Sequence, residues 1–146
     1  MKIHQINIKG VFLNRKLTEN KYIYMWQPPS FINFAYSHQF CYLKKMLYSL
    51  KQSSQYYYQQ LYEILVDFIY CDINQNIFFK VIDYKLTLIL VYINDCMITA
   101  ISIKLVNRVK NEVKKFVGII NLGEIHWLLS IELKRNYKTS KLIMFQ

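Results

Sequence analysis

The feature that most constrains the fold is an apolar, β-branched run that two turn-forming residues interrupt. Leu86 to Ile93 is almost wholly apolar, Asn94 and Asp95 follow, and apolar character resumes over Cys96 to Ile98. β-Branched and aliphatic residues favour strands, whereas Asn and Asp tolerate the left-handed backbone angles of tight turns. The pattern therefore predicts a β-hairpin with Asn94-Asp95 at or near its tip.

Two amphipathic helices are predicted on either side of this hairpin in the chain. From Ser53, apolar residues recur at the three- and four-residue spacing of a helix with one buried face, and they are Tyr57, Leu61, Ile64, Leu65 and Phe68. Ser102 opens the second helix, whose apolar stripe is predicted to contain Leu105, Val109, Val113 and Phe116. Its cations are assigned to the other faces: Lys104, Arg108, Lys110, Lys114 and Lys115.

The remaining segments complete an α+β pattern. Gln5 to Leu13 is predicted to be a short strand, and the two prolines of Gln27 to Ser30 indicate a loop. Gly118 to Gly123 is predicted to be a break, and His126 to Leu133 pairs with Lys141 to Phe145 as closing strands. This order predicts an α+β domain in which helices pack on one face of an antiparallel sheet.

Composition indicates one globular domain. The chain has 146 residues, of which 53% are hydrophobic and 19% charged, so it can bury a core. Its apolar runs are far shorter than the roughly 20 residues that cross a bilayer. Met1 to Gly10 alternates polar and apolar residues and lacks the apolar core of a signal peptide. We therefore expect an intracellular chain without a membrane partner, in a compartment that the sequence leaves undetermined.

The net charge of +10 has two interpretations. A basic surface attracts phosphate backbones, which makes nucleic acid the first partner to consider. The same excess of Lys, together with many Asn, Ile and Tyr residues, would also follow from AT-rich coding drift, which carries no function. Charge alone leaves both interpretations open.

Cysteine and histidine usage predicts neither a disulfide framework nor a zinc site. An odd number of cysteines at wide spacing, without a paired CxxC, is typical of free thiols. The residues are Cys41, Cys71 and Cys96, with the scattered histidines His4, His38 and His126.

The hairpin carries a motif with two interpretations. Tyr92-Ile93-Asn94-Asp95 is similar to the Tyr-Val-Asp-Asp box of reverse transcriptases, but Asn-Asp at a hairpin tip is commonly only a turn. Further segments match in order and approximate spacing: Val11 to Asn14, Tyr24 to Phe31, Leu43 to Gln52, Leu122 to Glu124, and Ile131 with Glu132. Together they make the chain resemble the reverse transcriptase of copia-type (Ty1-like) retrotransposons.

The resemblance implies the fold and its subdivision. It implies a reverse-transcriptase-like palm over residues 1–146, as a single partial domain, with a fingers-like excursion over residues 15–51. It also implies that the segment before the first catalytic strand and the thumb are missing. A palm sheet without those neighbours would expose its edges, which favours self-association.

The resemblance also implies a metal site that this sequence has altered. In the family three aspartates hold two Mg²⁺ ions, and their positions here are Asn7, Asn94 and Asp95. Only Asp95 is a carboxylate, so the charge facing the ions falls from about −3 to about −1. We expect Asp95 to bind Mg²⁺ weakly at best and nucleotide transfer to be disabled.

Three further positions correspond to the family's nucleotide pocket. Phe12 matches the aromatic residue under the incoming sugar; the alternative is a core residue of a strand. Tyr48 and Ser49 lie where the family's loop approaches the nucleotide, with Ser49 in place of a glycine, as Ser130 also is. The implied partner is an RNA or DNA template-primer. We therefore predict a degenerate RNA-directed DNA polymerase fragment; the alternatives are a non-catalytic basic nucleic-acid-binding relic and a polymerase fragment that a partner assists.

Overall fold

The protein divides into two compact units. A computed structural model of the chain describes residues 1–10, 22–47, 50, 53–139 and 141–146. The first unit combines Met1–Lys9 with Glu63–Gln146, and the second is Gly10–Tyr62. Each unit is a compact body of its own.

The described elements are mostly strands. In chain order they are β1 (Lys2–Ile8), β2 (Tyr24–Trp26), β3 (Phe40–Tyr42), α1 (Ser53–Ile64), β4 (Ile69–Tyr70), β5 (Ile77–Ile82), β6 (Lys85–Tyr92), β7 (Asp95–Ala100), α2 (Ile103–Lys114), β8 (Ile119–Glu124), β9 (Trp127–Leu128), β10 (Ile131–Asn136) and β11 (Lys141–Phe145). Two short 3₁₀ helices, Pro29–Phe31 and Phe34–Tyr36, lie between β2 and β3. None of the helices among these residues is long and apolar enough to cross a membrane.

Antiparallel pairing dominates the strands of the first unit. A six-stranded sheet has the order β4-β5-β6-β7-β1-β8, and a three-stranded sheet has the order β11-β10-β9. Every adjacent pair in both sheets is antiparallel. The prediction of an α+β domain with an antiparallel sheet and two helices is therefore confirmed.

Helix α2 covers one face of the six-stranded sheet. It packs against β1 and β7, which are central strands. The buried face carries Ile6, Ile89 and Ile98, and the helix contributes Val106 and Val109, all at most 1% exposed. Since side chains alternate along a strand, the residues next to Ile6 and Ile98 in sequence point to the opposite face. That opposite face carries the candidate site.

The start of α2 agrees with the sequence, but part of its predicted stripe does not. The Ser102 hydroxyl accepts a hydrogen bond from the Leu105 amide at 3.4 Å and so caps the helix. Phe116, a member of the predicted stripe, is instead 60% exposed. The reason is that the regular helix ends at Lys114, so Phe116 no longer lies on the buried face.

The assignment of Lys110 to a face of α2 away from its buried residues is wrong. This residue is only 5% exposed. Val106, Val109, Lys110 and Val113 stand at positions i, i+3, i+4 and i+7, which share one side of a helix. Helical position, more than residue type, therefore decides the burial of Lys110.

The segment after α2 also differs from the prediction. Gly118 to Gly123 is a break according to the sequence, whereas Ile119–Glu124 is strand β8 at the edge of the six-stranded sheet. Gly123, with φ of +81°, lies where the register between β1 and β8 shifts. A bulge with a positive-φ glycine continues the strand pairing that two glycines would be expected to interrupt.

The predicted strand His126 to Leu133 is two strands. β9 and β10 form a hairpin whose two-residue turn is Leu129-Ser130, with φ of +50° and +68°. The resemblance predicts a glycine at the position of Ser130, and the positive φ there would explain such a preference. At the other end of the chain, β1 begins at Lys2, three residues before the predicted start, and residues 11–13 lie outside the described part.

The second unit holds a two-stranded ribbon and most of α1. β2 and β3 pair antiparallel, and the Gln27 side chain fastens the loop between them. Its amide donates to the carbonyl oxygens of Tyr36 and Gln39 at 2.7 and 3.0 Å, and its oxygen accepts from the Asn33 amide at 2.7 Å. These three bonds fix the loop that the prolines begin, because they join its start, middle and end.

Thr87 offers a test of how the sheet is packed. Its side chain is fully buried on β6, and its hydroxyl has no hydrogen-bond partner among the described residues. A buried hydroxyl without a partner costs free energy, whereas an apolar group of the same shape does not. We expect Thr87→Val to increase the free energy of unfolding by about 1 kcal/mol, measured by urea denaturation. Thr99→Val, at a half-buried position on β7, is the matched control and should change it little.

Candidate metal centre

The hairpin between β6 and β7 carries two of the three predicted metal positions, Asn94 and Asp95. Tyr92 pairs with Asp95, so the turn consists of Ile93 and Asn94, one residue earlier than the centre of the predicted tip. Ile93 has φ of +53°, which is unfavourable for a β-branched residue. The hairpin therefore holds a strained turn immediately before the retained carboxylate.

Strand β1 brings the third predicted metal position, Asn7, directly opposite Asp95. The two residues pair in the register of β1 and β7, and the Asn7 Nδ2 donates to the Asp95 Oδ1 at 2.9 Å. The backbone of the next residue, Ile8, donates to the Asn94 carbonyl oxygen at 2.7 Å. Residues 88 positions apart in sequence thus meet at one point on the sheet, and all three metal positions are half-buried.

The contact between Asn7 and Asp95 changes what the site can bind. An amide nitrogen presents hydrogens, so it is attracted to a carboxylate where a second carboxylate would be repelled. One Asp95 oxygen is therefore engaged by a neutral donor. In the part of the chain that the structure describes, no group of three or more His, Cys, Asp or Glu side chains is arranged to hold a metal ion. Hard divalent cations favour several anionic oxygens, and the residues here do not fit a two-ion site.

Cys96, next to Asp95, is not a reactive thiol. Its side chain points to the buried face of the sheet and is 2% exposed. Burial, and to a smaller extent the negative charge of Asp95, raises the pKa of this thiol to about 12. Because the thiolate is the nucleophilic form, Cys96 contributes packing and no chemistry at neutral pH.

Comparison with known proteins decides the family. The family model described as reverse transcriptase (RNA-dependent DNA polymerase) matches residues 1–146, the whole chain. The chain belongs to the reverse transcriptase family. The resemblance inferred from the short motifs is thereby confirmed.

Its relatives include Pol polyproteins from plant transposons. The chain is 30% identical over 135 residues to the retrovirus-related Pol polyprotein from transposon RE1 of Arabidopsis thaliana, covering 91% of the chain and 9% of that protein. It is 26% identical over 149 residues to the corresponding protein from transposon TNT 1-94 of Nicotiana tabacum, covering 100% of the chain and 11% of that protein. The match to copia-type elements is therefore shown, although the chain spans about a tenth of the length of these relatives. No solved structure gives a significant match.

The predicted nucleotide-pocket residues of this reverse transcriptase domain are not placed by the structure. Phe12, Tyr48 and Ser49 lie outside the described residues. Of the predicted site residues, the structure therefore brings together Asn7, Asn94 and Asp95 and leaves the other three as predictions.

A polar cluster that the sequence did not predict lies on the helix-covered side of the sheet. The Lys110 ammonium group donates to the Asn121 Oδ1 at 2.6 Å and lies 3.0 Å from the His4 Nδ1. Neutral His4 with its proton on Nε2 fits this contact, because Nδ1 then accepts. Burial lowers the pKa of Lys110, and burial followed by the charge of Lys110 lowers the pKa of His4. The cluster forms because β1 pairs with β8 and Lys110 of α2 reaches both strands, which the sequence pattern does not show.

The His4 contact predicts a pH dependence of stability. Because its pKa is lowered in the folded chain, His4 takes up a proton in the unfolded chain first as the pH falls below about 6.5. The stabilisation that depends on neutral His4 is therefore fully present above that pH and is lost as the pH falls towards the folded-state pKa. Of the nearby charges, Glu124 opposes the lowering of the His4 pKa and Lys2 reinforces it. We expect the urea midpoint to fall between about pH 7.5 and about pH 5.5, and His4→Gln, which cannot titrate, to reduce the fall. An equal fall in both proteins would contradict this role.

Proposed function

We propose that this chain is a reverse transcriptase palm in which two-metal catalysis is disabled. The observation that carries the proposal is the 2.9 Å hydrogen bond from Asn7 to Asp95, at the point where the family needs carboxylates. Two adjacent cations require anionic oxygens at this point. The Asn7 amide instead fills the space of an ion and donates its hydrogen to the Asp95 oxygen that an ion would use. With Asn94 also neutral, Asp95 is the one charge at the three metal positions.

The proposal includes a limited affinity for Mg²⁺. Asp95 could offer an oxygen to one ion only if the Asn7 amide turned away or the ion used the other oxygen. Mg²⁺ loses its water ligands reluctantly and is usually held by more than one anionic group. We therefore infer weak binding at most, and we assign no catalytic step to a metal ion in this chain.

The palm and fingers division remains part of the proposal. Strand β1 and the hairpin of β6 and β7 carry the proposed metal positions and would form the palm. Residues 15–51 would form the fingers-like excursion, and the compact unit Gly10–Tyr62, which includes that range, supports the division. Residues 1–146 would then be one partial domain of a longer polymerase.

The proposed ancestral partner is an RNA or DNA template-primer. The family assignment and the net charge of +10 support it. The basic helix α2 favours phosphate binding less than its composition suggests. Its Arg108 lies 3.8 Å from Asp83 and 3.5 Å from Glu112, so carboxylates neutralise part of that surface. A non-catalytic binder built on this helix is therefore the weaker alternative.

Self-association through sheet edges is a further part of the proposal. All five residues of β11 are exposed, and β11 lies at the edge of its three-stranded sheet. Exposed edge strands with apolar side chains can pair with another chain. Sedimentation of the protein over a range of concentrations would test this, and a monomer throughout would contradict it.

The test of the proposed function is primer extension on an RNA template with Mg²⁺ or Mn²⁺. The native chain should not extend the primer. The double variant Asn7→Asp with Asn94→Asp restores the three carboxylates, and its matched control adds Asp95→Asn, which removes one again. Extension by the double variant alone would support the proposal.

The other outcomes are equally informative. Extension by the native chain would overturn the proposal, because Asn7 and Asn94 would then not be disabling. Extension by the native chain only after a second polymerase fragment is added would support the partner-assisted alternative. If no variant extends the primer although all remain folded, restoring the carboxylates does not restore catalysis, and this result would contradict the proposal that Asn7 and Asn94 disable the palm.

A further inference from the structure

An exposed set of aromatic rings lies on one face of the ribbon β2–β3. Tyr24 pairs with Tyr42 and Trp26 pairs with Phe40, and alternation along each strand puts all four on the same face. Their exposed fractions are 61%, 45%, 66% and 53%, respectively. We call these four residues the ring ladder. Large aromatic side chains seldom remain this exposed together unless the surface contacts a partner.

The ring ladder has a regular geometry. The ring centroids are 4.2 Å apart in the Trp26–Phe40 pair and 5.6 Å apart in the Tyr24–Tyr42 pair. The two pairs are two residues apart along the strands, a distance of about 6.8 Å. That is about twice the ~3.4 Å rise per nucleotide of a stacked strand. A single strand that is stretched and unstacked could therefore place successive bases against successive ring pairs.

Next to the ring ladder, the chain carries a further aromatic ring and two lysines. The Leu43 amide donates to the Ile23 carbonyl oxygen at 2.9 Å, which prolongs the ribbon by one step. Tyr22 adds a fifth ring, 6.0 Å from Tyr42, and the exposed Lys44 and Lys45 follow on the other strand. The rings thus lie at successive positions of one short ribbon, and the two lysines follow in the chain just beyond the end of β3.

Charge identifies the kind of partner. The described residues of Gly10–Tyr62 contain no Asp or Glu, so no carboxylate in that part of the unit would repel a phosphate. A wholly apolar protein surface would leave the adjacent lysines dehydrated without a counter-charge, so a protein partner would have to combine apolar groups with carboxylates. A polynucleotide supplies flat bases for the rings and phosphates for the lysines.

We propose that the ring ladder is a stacking platform for a single-stranded polynucleotide, with Lys44 and Lys45 binding its phosphates. The platform reads no sequence, because every base offers a π-face. Binding of single strands to this surface does not depend on whether residues 7 and 94 are Asn or Asp. The surface would therefore bind single strands even in a chain that cannot polymerise.

The test uses Trp26 as its own reporter. The chain has two tryptophans, so Trp127→Phe leaves Trp26 as the single indole. This variant is titrated with oligo(dU) of about 12 nucleotides, within the span that such surfaces bind. Stacking should quench Trp26 fluorescence, and an abasic strand of equal length and charge should quench it little.

Two matched variants separate the ring ladder from general effects. Binding of labelled oligo(dU) should weaken at least ~5-fold in Trp26→Ala, since one base–ring stack is lost. Trp127→Ala removes an indole that is 58% exposed in the other unit and should leave binding unchanged. Trp26→Phe keeps a ring and should recover most of the affinity, which shows that loss in Trp26→Ala is not misfolding.

Three outcomes would overturn the proposal. The first is equal binding of the abasic strand and oligo(dU), which would mean attraction by charge alone. The second is equal weakening by Trp26→Ala and Trp127→Ala. The third is self-association that Trp26→Ala abolishes, without quenching by oligo(dU), which would make the ring ladder an interface between copies. Primer extension does not enter this test, so failure here is distinct from failure of the proposed loss of catalysis.

Discussion

Asn7→Asp should lower the free energy of unfolding by about 2 kcal/mol when divalent cations are removed with a chelator. The substitution replaces a hydrogen-bond donor by a second carboxylate, 2.9 Å from the Asp95 oxygen in the present geometry. A bond to a charged group is lost, and like charges on directly paired strand residues repel each other. Both residues are half-buried, so water screens the repulsion only in part.

Added Mg²⁺ should reverse much of this loss. A cation between the carboxylates converts repulsion into coordination, and binding to the folded state alone stabilises it. Urea denaturation in chelator and in millimolar Mg²⁺ measures both effects, and the native chain should show almost no difference between the two buffers. Lowering the pH towards about 4 should also restore part of the free energy of unfolding of the Asn7→Asp variant, because a proton on one of the two carboxylates removes their repulsion.

Asn7→Ala is the matched control for this prediction. It removes the same hydrogen bond but adds no charge, so it should lose stability without responding to Mg²⁺ or to acid. If Asn7→Asp proves as stable as the native chain in chelator, the two side chains are not in contact in solution. If Asn7→Ala responds to Mg²⁺ as Asn7→Asp does, the ion binds elsewhere.

The second large effect is expected in the core beneath α2. Ile98 is fully buried on the central strand β7, between Ile89 of β6 and His4 of β1 in the strand register. Ile98→Ala removes buried methyl groups and leaves a cavity, which should cost about 2–5 kcal/mol. That is a large part of the roughly 5–15 kcal/mol typical of a domain, so much of the chain would be unfolded at moderate urea.

Met97→Ala provides the comparison on the same strand. Met97 is half-buried on the opposite face, so its truncation should cost clearly less than that of Ile98. Ile98→Val keeps most of the volume and should cost about 0.5–1.5 kcal/mol, which keeps the test usable if the Ala variant does not fold. Equal losses at positions 97 and 98 would mean that α2 does not cover the face assigned to it.

Local sequence determined the elements that depend on near neighbours. The apolar run from Leu86, broken by Asn94, produces the hairpin because a two-residue turn needs only the residues that form it and the strands beside it. Ser102 starts α2 because its hydroxyl reaches the third amide onward. The family motifs are likewise short and local, so the amino-acid sequence alone is enough to predict which three residues stand at the metal positions.

Tertiary structure decided what those elements do. Lys110 is buried because its position on α2 faces β1 and β8, where His4 and Asn121 provide partners, and no local pattern gives that pairing. Strand β8 exists because β1 offers an edge to pair with, despite Gly118 and Gly123. Sequence periodicity cannot foresee either result, since both depend on residues that are distant in the chain, such as His4 and Lys110.

The same distinction applies to the site. The sequence predicts that Asn7 and Asn94 stand at aspartate positions of the family, and the loss of charge follows from that prediction alone. That Asn7 donates to Asp95, and so occupies the remaining carboxylate, follows only from the register of β1 and β7. The ring ladder likewise depends on which residues of β2 and β3 face each other. Residue identity fixes charge and hydrogen-bonding capacity, whereas strand pairing fixes which groups meet.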